Sequence, residues 1–264
     1  MNDSACLTIL VTRPDPAGSM LCALIKAEGD QAVHLPAMRF EPLVDQPDFQ
    51  SALDHLGEQD WVLFVSPQAV YASIAAIRKK WPVLPPQLKF AAVGEGTAKA
   101  LKEAGYLMAV HPQGEWNSES VLELPAFRSV AGQKIAIIQG EGGRERLPKA
   151  LADRGATITQ LIAYQRQLPN VEMAPFIKLL NQRGLDAVIC TSFEGVQNIK
   201  KLFTDASWPI LRSTPLIVVS ERIKTLAHAL GFQTIWVARN ASHPAILECL
   251  VQKRKEIWQI KQTK

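Results

Sequence analysis

No apolar run in the chain comes near the roughly 18 consecutive residues that a membrane-spanning helix needs. The N-terminus, Met1-Asn2-Asp3-Ser4, lacks a basic segment followed by an apolar one, so no signal peptide is read there and the cytoplasm is the expected compartment. Cysteine is sparse: Cys6, Cys22, Cys190 and Cys249 are scattered and form no C-x-x-C pair, which points to reduced, mostly buried thiols. The histidines at 34, 55, 111, 228 and 243 show neither H-x-x-x-H nor mixed Cys/His spacing, which speaks against a metal site. The net charge is only +4, too little for a dense nucleic-acid-binding face. The tail cations Lys253, Arg254, Lys255, Lys261 and Lys264 read as a solvated, frayed C-terminal helix. Neither nucleic acid nor membrane is therefore an expected partner, whereas a modest positive field suits a small anionic substrate. Phosphate-loop signatures are missing too. Gly94-Glu95-Gly96-Thr97 is no G-x-G-x-x-G, and Gly140-Glu141-Gly142-Gly143-Arg144 lacks the Gly-Lys-Ser/Thr that would follow.

What the chain does have is a strand–serine–helix turn, written twice. Residues 60–70 run as a short buried strand, then Ser66 as helix cap and Pro67 at the first helical position, with Val70, Ile74 and Ile77 at helical spacing. Residues 186–196 repeat the pattern around Ser192. The two serines are 126 residues apart (192−66), and the same offset relates Gly29 to Gly155, Gly94 to Ser220 and Gly105 to Gly231. The chain is thus a duplication. Each half alternates strand and helix about five times, which predicts parallel sheets covered on both faces: two doubly wound, flavodoxin-like α/β domains. The 264 residues, 47% of them apolar, suffice for both cores.

Residues 35–42 and 161–169 occupy equivalent places and read as connectors. If the chain divides there, one discontinuous domain joins 1–37 to 170–264, a second spans 41–165, and 38–40 with 166–169 link them. A tandem cut near residue 127 is the alternative.

Ligands bind beyond the carboxyl ends of strands in open parallel sheets. The residues expected there are Thr12-Arg13, Ser66, Gly94 to Thr97, Gln139-Gly140, Ser192 and Ser220-Glu221. They include no histidine, no lysine and no paired carboxylates, which is poor equipment for nucleophilic catalysis. They suit anion binding, because free N–H groups at helix starts and small side chains let a ligand reach the backbone. Ser120 with Glu123 reads as a capping box.

Seven pieces carry a family resemblance: Val11-Thr12-Arg13-Pro14, Val65-Ser66-Pro67-Gln68-Ala69-Val70, Val93-Gly94-Glu95-Gly96-Thr97-Ala98, Asn117-Ser118-Glu119-Ser120, Ala163-Tyr164-Gln165-Arg166, residues 186–196, and Val218-Val219-Ser220-Glu221-Arg222. In that order and spacing the chain resembles uroporphyrinogen-III synthases over essentially its full length. The resemblance implies two α/β domains joined by two linker strands, the first built from both chain ends, with the active site between them. It implies a monomer that uses no cofactor and no metal. The implied substrate is hydroxymethylbilane, a linear tetrapyrrole with eight carboxylates, and the preceding bilane-forming enzyme is a candidate partner. The implied reaction removes water from the ring-A hydroxymethyl group and closes the macrocycle with ring D inverted, in haem biosynthesis. Because the free bilane cyclises unaided to the wrong isomer, such an enzyme acts chiefly by orientation. The expected substrate-binding residues are Arg13, Ser66, Gly94, Thr97, Ser118, Gly140, Ser192 and Ser220, with Tyr164 as the catalytic residue, placed on the connector and facing the meeting of the lobes. The family pattern includes a tyrosine before x-Arg, proposed to assist loss of the hydroxyl; a phenol can donate to such a leaving group. Two positions depart from the family: Gln68, where many relatives carry arginine, and Phe193, where many carry proline. The competing class is a two-lobed binding or sensor protein without catalysis, which hinged α/β lobes also serve.

Overall fold

The protein is seen in a computed structural model that describes residues 6–106, 109–114 and 118–262. The strands are β1 (Thr8–Val11), β2 (Gln31–His34), β3 (Arg39–Pro42), β4 (Trp61–Phe64), β5 (Lys89–Ala92), β6 (Lys134–Gly140), β7 (Thr157–Gln167), β8 (Ala187–Ile189), β9 (Leu216–Val218) and β10 (Ile235–Val237). The helices are α1 (Ala17–Ala27), α2 (Pro47–Asp54), α3 (Pro67–Lys80), α4 (Glu95–Glu103), α5 (Ser118–Leu122), α6 (Pro125–Arg128), α7 (Arg146–Asp153), α8 (Ala174–Asn181), α9 (Phe193–Leu202), α10 (Trp208–Ser213), α11 (Glu221–Ala229) and α12 (His243–Gln262). They form two compact units. One joins residues 1–39 to 167–264, and the other is 40–166. The first holds a parallel sheet in the order β2-β1-β8-β9-β10, the flavodoxin-like order; the second holds β3-β7-β6-β4-β5.

Both sheets are buried on both faces, and the two-residue period of a strand sorts the side chains. In the second unit Val62, Phe64, Ala136, Ile138 and Leu161 pack under α3 and α4, while Trp61, Leu63, Ile135 and Ile137 face α5, α6 and α7. In the first unit Leu10, Val188 and Leu216 pack with α8 to α11, and Ile9, Val11, Ala187 and Ile217 pack with α1 and α12. Each fully buried valine, leucine, isoleucine or phenylalanine among them stabilises its unit by about 1.5–3 kcal/mol.

The duplication extends to the strand registers. Ile9 lies opposite Ala187 and Ile135 opposite Trp61, so both partners move by 126 residues (135−9 and 187−61). Thr8 opposite Gln31 matches Lys134 opposite Thr157 in the same way. Ala91 bridges to Val110 as Ile217 pairs with Trp236. Each sheet is also shared between the halves. The first unit takes β1 and β2 from the first half and β8, β9 and β10 from the second. The second unit takes β6 and β7 from the second half and β3, β4 and β5 from the first. An exchange of the first two strands between repeats is the covalent counterpart of a domain swap. The glycines expected to stop helices do so: Gly29, Gly105, Gly155 and Gly231 have φ of +89°, +79°, +86° and +97°, which only glycine adopts freely.

The segments read as connectors carry strands, as the resemblance implies: β3 covers 39–42, and β7 runs on through residue 167. The structure differs from the sequence reading in two places. The expected capping box does not form, because Ser120 is the third residue of α5, not its cap. The C-terminal helix is docked rather than frayed. Ile257 is buried in the first unit's core, Arg254 pairs with Asp30, and Lys261 Nζ lies 2.9 Å from Asp186. Both carboxylates sit at the amino ends of strands, where Asp30 accepts from Leu7 N and Asp186 from Thr8 N. The repeat explains the second contact, since Asp60 accepts from Lys134 N in the other unit.

Candidate functional site

In the second unit the carboxyl ends of β4, β5, β6 and β7 surround a cavity of about 250 Å³. Its geometry begins at the end of β6. The register between β6 and β7 shifts at Gln139/Gly140: Gln139 lies opposite Ile162, but Gly140 lies opposite Tyr164. This irregularity lets Tyr164 share a face with Ala163 and Leu161, where strict alternation would send it to the other. The tyrosine ring then crosses Gly140 so closely that a Cβ there would stand 2.5 Å from Cζ and 2.9 Å from the hydroxyl oxygen. Phe40 holds the ring from the side, edge-on, with centroids 5.3 Å apart. Only 3% of Tyr164 is exposed, yet the residue lines the cavity.

That hydroxyl lies 3.2 Å from Ser66 Oγ. Ser66 is also the cap of α3: its Oγ accepts from Ala69 N at 3.1 Å, Pro67 opens the helix, and Arg78, Lys79 and Lys80 suit the dipole at the far end. With a lone pair committed to Ala69, the serine proton is available to the phenol oxygen, and the phenol proton can point elsewhere. Ser118, at the start of α5, closes another wall. Gln139 donates from Nε2 to Gln160 Oε1 at 2.7 Å, and its own Oε1 fills the place where a side chain on Gly143 would begin. Among the described residues, Arg144 and Arg166 are the charged members of the lining, and none is a carboxylate.

Of the residues picked out by sequence, Tyr164, Ser66, Ser118 and Gly140 thus share one cavity. Tyr164 reaches it from within β7, as part of the second unit's core, not from a connector. Gly94 and Thr97 do not line the cavity, although Val93 does. Gly94 caps α4 through its backbone, and Thr97 turns its side chain into the protein, 3% exposed. Gln68 and Phe193 are the first-turn residues that follow Ser66-Pro67 and Ser192.

Arg13, Ser192 and Ser220 belong to the first unit. Ser192 Oγ accepts from Gly195 N at 3.0 Å and Ser220 Oγ from Ile223 N at 3.3 Å, capping α9 and α11. Ser192→Ala is expected to cost about 1 kcal/mol of stability for the lost cap, with Ser192→Asp retaining most of it. Urea titration checks this; an unchanged midpoint for the alanine variant would show that the cap contributes nothing. Arg13 Nη1 donates to Ala241 O at 2.8 Å, and burial lowers the pKa of its guanidinium. His243, at the start of α12, is pushed below its ordinary value of 6.5 by burial and then by the Arg13 charge, against a hydrogen bond with the Ala17 backbone. A histidine with a depressed folded pKa favours folding less wherever the unfolded chain would take up the proton. Its contribution is therefore intact above about pH 6.5 and lost as the pH falls from there toward the folded value. His243→Gln should flatten the decline of the thermal midpoint between about pH 7 and 5. A decline as steep as in the parent would assign it to other groups.

The model for uroporphyrinogen-III synthase HemD matches residues 19–248. The chain is also 35% identical over 250 residues to the uroporphyrinogen-III synthase of Escherichia coli strain K12, covering 92% of this chain and all of that one. The chain belongs to the uroporphyrinogen-III synthase family. Members of this family are enzymes of tetrapyrrole biosynthesis. The Salmonella typhimurium uroporphyrinogen-III synthase is 34% identical over the same extent. In three dimensions the chain resembles a mutant uroporphyrinogen III synthase from the extreme thermophile Thermus thermophilus, with a TM-score of 0.62 at 18% identity over 96% of this chain and 99% of the other. The uroporphyrinogen-III synthetase from Helicobacter pylori 26695 gives a TM-score of 0.58 at 14% identity, covering 93% and 99%. These two likenesses concern the fold.

Sequence reasoning missed Gly143, Arg144 and Leu147 as members of this cavity. Tested as a phosphate loop, the segment 140–144 fails and drops from view. Its position supplied a usable signal, since it follows a strand and precedes a helix, the same place that made Ser66 and Ser192 candidates.

Proposed function

We propose that the protein converts hydroxymethylbilane to uroporphyrinogen III in the cytoplasm as a monomer. The observation that carries the reading is the cavity at the strand ends of the second unit: among the described residues its lining offers neutral hydrogen-bonding groups and arginines, with no carboxylate and no thiol. Such a lining offers little nucleophilic power and much that can hold a polyanion in one conformation. The reaction asks for little more. The ring-A hydroxymethyl group leaves as water, giving an azafulvene whose carbon attacks the substituted position of ring D; the spiro intermediate then fragments and recloses. No electrons are gained or lost overall, so the balance needs no redox partner.

In this reading Tyr164 donates its proton to the departing hydroxyl, and Ser66 orients the phenol by hydrogen bonding to its oxygen. Ser118 and the backbone around Gly140 hold substrate in the same cavity, while Arg13, Ser192, Ser220, Gly94 and Thr97 contribute through helix starts and, for Arg13, a cation. The test is incubation with hydroxymethylbilane followed by separation of product isomers. Excess type III isomer over the spontaneous type I supports the reading. Type I alone, at the uncatalysed rate, would leave a protein that binds without catalysing.

A further inference from the structure

Of the six arginines in the unit 40–166, five have partners. Arg78 donates to Ala104 O, Arg128 to Glu123 O, and Arg154 to Leu122 O and Phe127 O; Arg146 pairs with Glu119, and Arg166 is engaged as well. Arg144 makes no hydrogen bond or ion pair among the described residues, and it stands at the cavity with Ser118 and Tyr164. The contrast with Arg146, two residues on and neutralised by Glu119, is local and direct.

The loop is built to hold Arg144 there. Glu141 N donates to Tyr164 O at 2.7 Å, and Gly143 N to Gly140 O at 3.2 Å. Gly142 has φ +66°, and Gly143 lies against Gln139 with no room for a side chain. Two residues later α7 begins, with Leu147 also lining the cavity. The backbone on both sides of Arg144 is therefore fixed to the walls of the cavity, while its guanidinium, without an ion-pair partner among the described residues, offers a planar fork of donors suited to a carboxylate.

We infer that Arg144 is a substrate-binding residue, which takes one carboxylate side chain of the bilane in a forked ion pair and so sets the position of the chain relative to Tyr164. This inference rests on the bilane-cyclising reading above. It assigns a ground-state contact retained through the reaction, which acts on KM more than on kcat.

The test compares Arg144→Leu, Arg144→Lys and Arg128→Leu with the parent, using hydroxymethylbilane as substrate. Arg128 lies outside the cavity and loses the same unit of charge on substitution. For Arg144→Leu, KM should rise at least tenfold while kcat falls less than threefold. Arg144→Lys should recover part of the affinity, and Arg128→Leu should shift KM less than twofold. A parent-like KM in Arg144→Leu, or an equal rise in Arg128→Leu, would overturn the assignment. So would a loss confined to kcat. A parent protein that yields no type III isomer would instead bring down the functional reading itself, so the two failures are distinct.

Discussion

Tyr164→Phe is expected to lower turnover about ten- to a hundredfold, at the modest end of general-acid contributions because the bilane ionises readily unaided. KM should stay close to the parent value. The substitution keeps the ring, and the ring is what the surroundings grip: Phe40 edge-on beside it, Gly140 beneath it, and the apolar cluster around β7. Only the hydroxyl and its 3.2 Å contact with Ser66 Oγ are lost. One hydrogen bond contributes on the order of 1 kcal/mol, so the thermal midpoint should move by a few degrees at most. Ser66 keeps its cap on α3 through Ala69 N. Single-turnover kinetics on the phenylalanine variant would decide the matter. Full turnover there, with Tyr164→Ala merely destabilised, would assign the tyrosine to packing.

The second large effect concerns stability. Arg254→Met should destabilise the unit formed by 1–39 and 167–264 by about 3–5 kcal/mol, the range for removing one partner of a buried pair. Asp30 is the reason. Its side chain is 1% exposed, it accepts from Leu7 N at 3.0 Å, and both guanidinium nitrogens of Arg254 reach it. Removing the arginine leaves a carboxylate inside the protein with, among the described residues, a single backbone donor. Methionine keeps much of the aliphatic stem, so the loss is chiefly electrostatic. Urea unfolding followed through the tryptophans of that unit, Trp208, Trp236 and Trp258, would measure it. The double variant Arg254→Met/Asp30→Asn should recover part of the loss, because the buried charge is then gone. A single-variant midpoint within about 1 kcal/mol of the parent would mean that water reaches Asp30 and that the pair contributes as little as a surface one.

Periodic features were legible in the sequence. Strand runs, capping serines and stop glycines recur at one offset, and each has a local physical signature, so the repeat and the α/β class could be read directly. Ser66 and Gly140 are legible for the same reason, as small residues where strands end, whereas Ser118 comes only with the family resemblance. Features that depend on residues far apart in the chain were not legible. The shift at Gln139/Gly140 arises where two strands meet, and nothing within 161–169 announces that β7 continues as far as Gln167. The docking of the C-terminal helix depends on Asp30 and Asp186, which lie 224 and 75 residues from Arg254 and Lys261. The capping-box pattern at Ser120 was matched but unused, because α5 begins two residues earlier. Arg144 escaped notice because its significance is comparative: it emerges only once every other arginine of its unit has been given a partner.

The sharing of each sheet between the halves has a consequence for synthesis on the ribosome. The segment carrying β1, α1 and β2, made before the rest of both units, has no neighbour for the open edge of β1 until β8 has been made. Meanwhile the chain 40–166 has its whole sheet as soon as β7 is out, and can close first. An early part of these two units is thus among the last to be covered. At about 5–20 residues per second, it waits many seconds with an apolar strand edge exposed while a complete unit folds behind it. A truncated message ending after β7 would yield one folded unit trailing an unpaired N-terminal arm, a form that chaperones and proteases would meet before the enzyme existed.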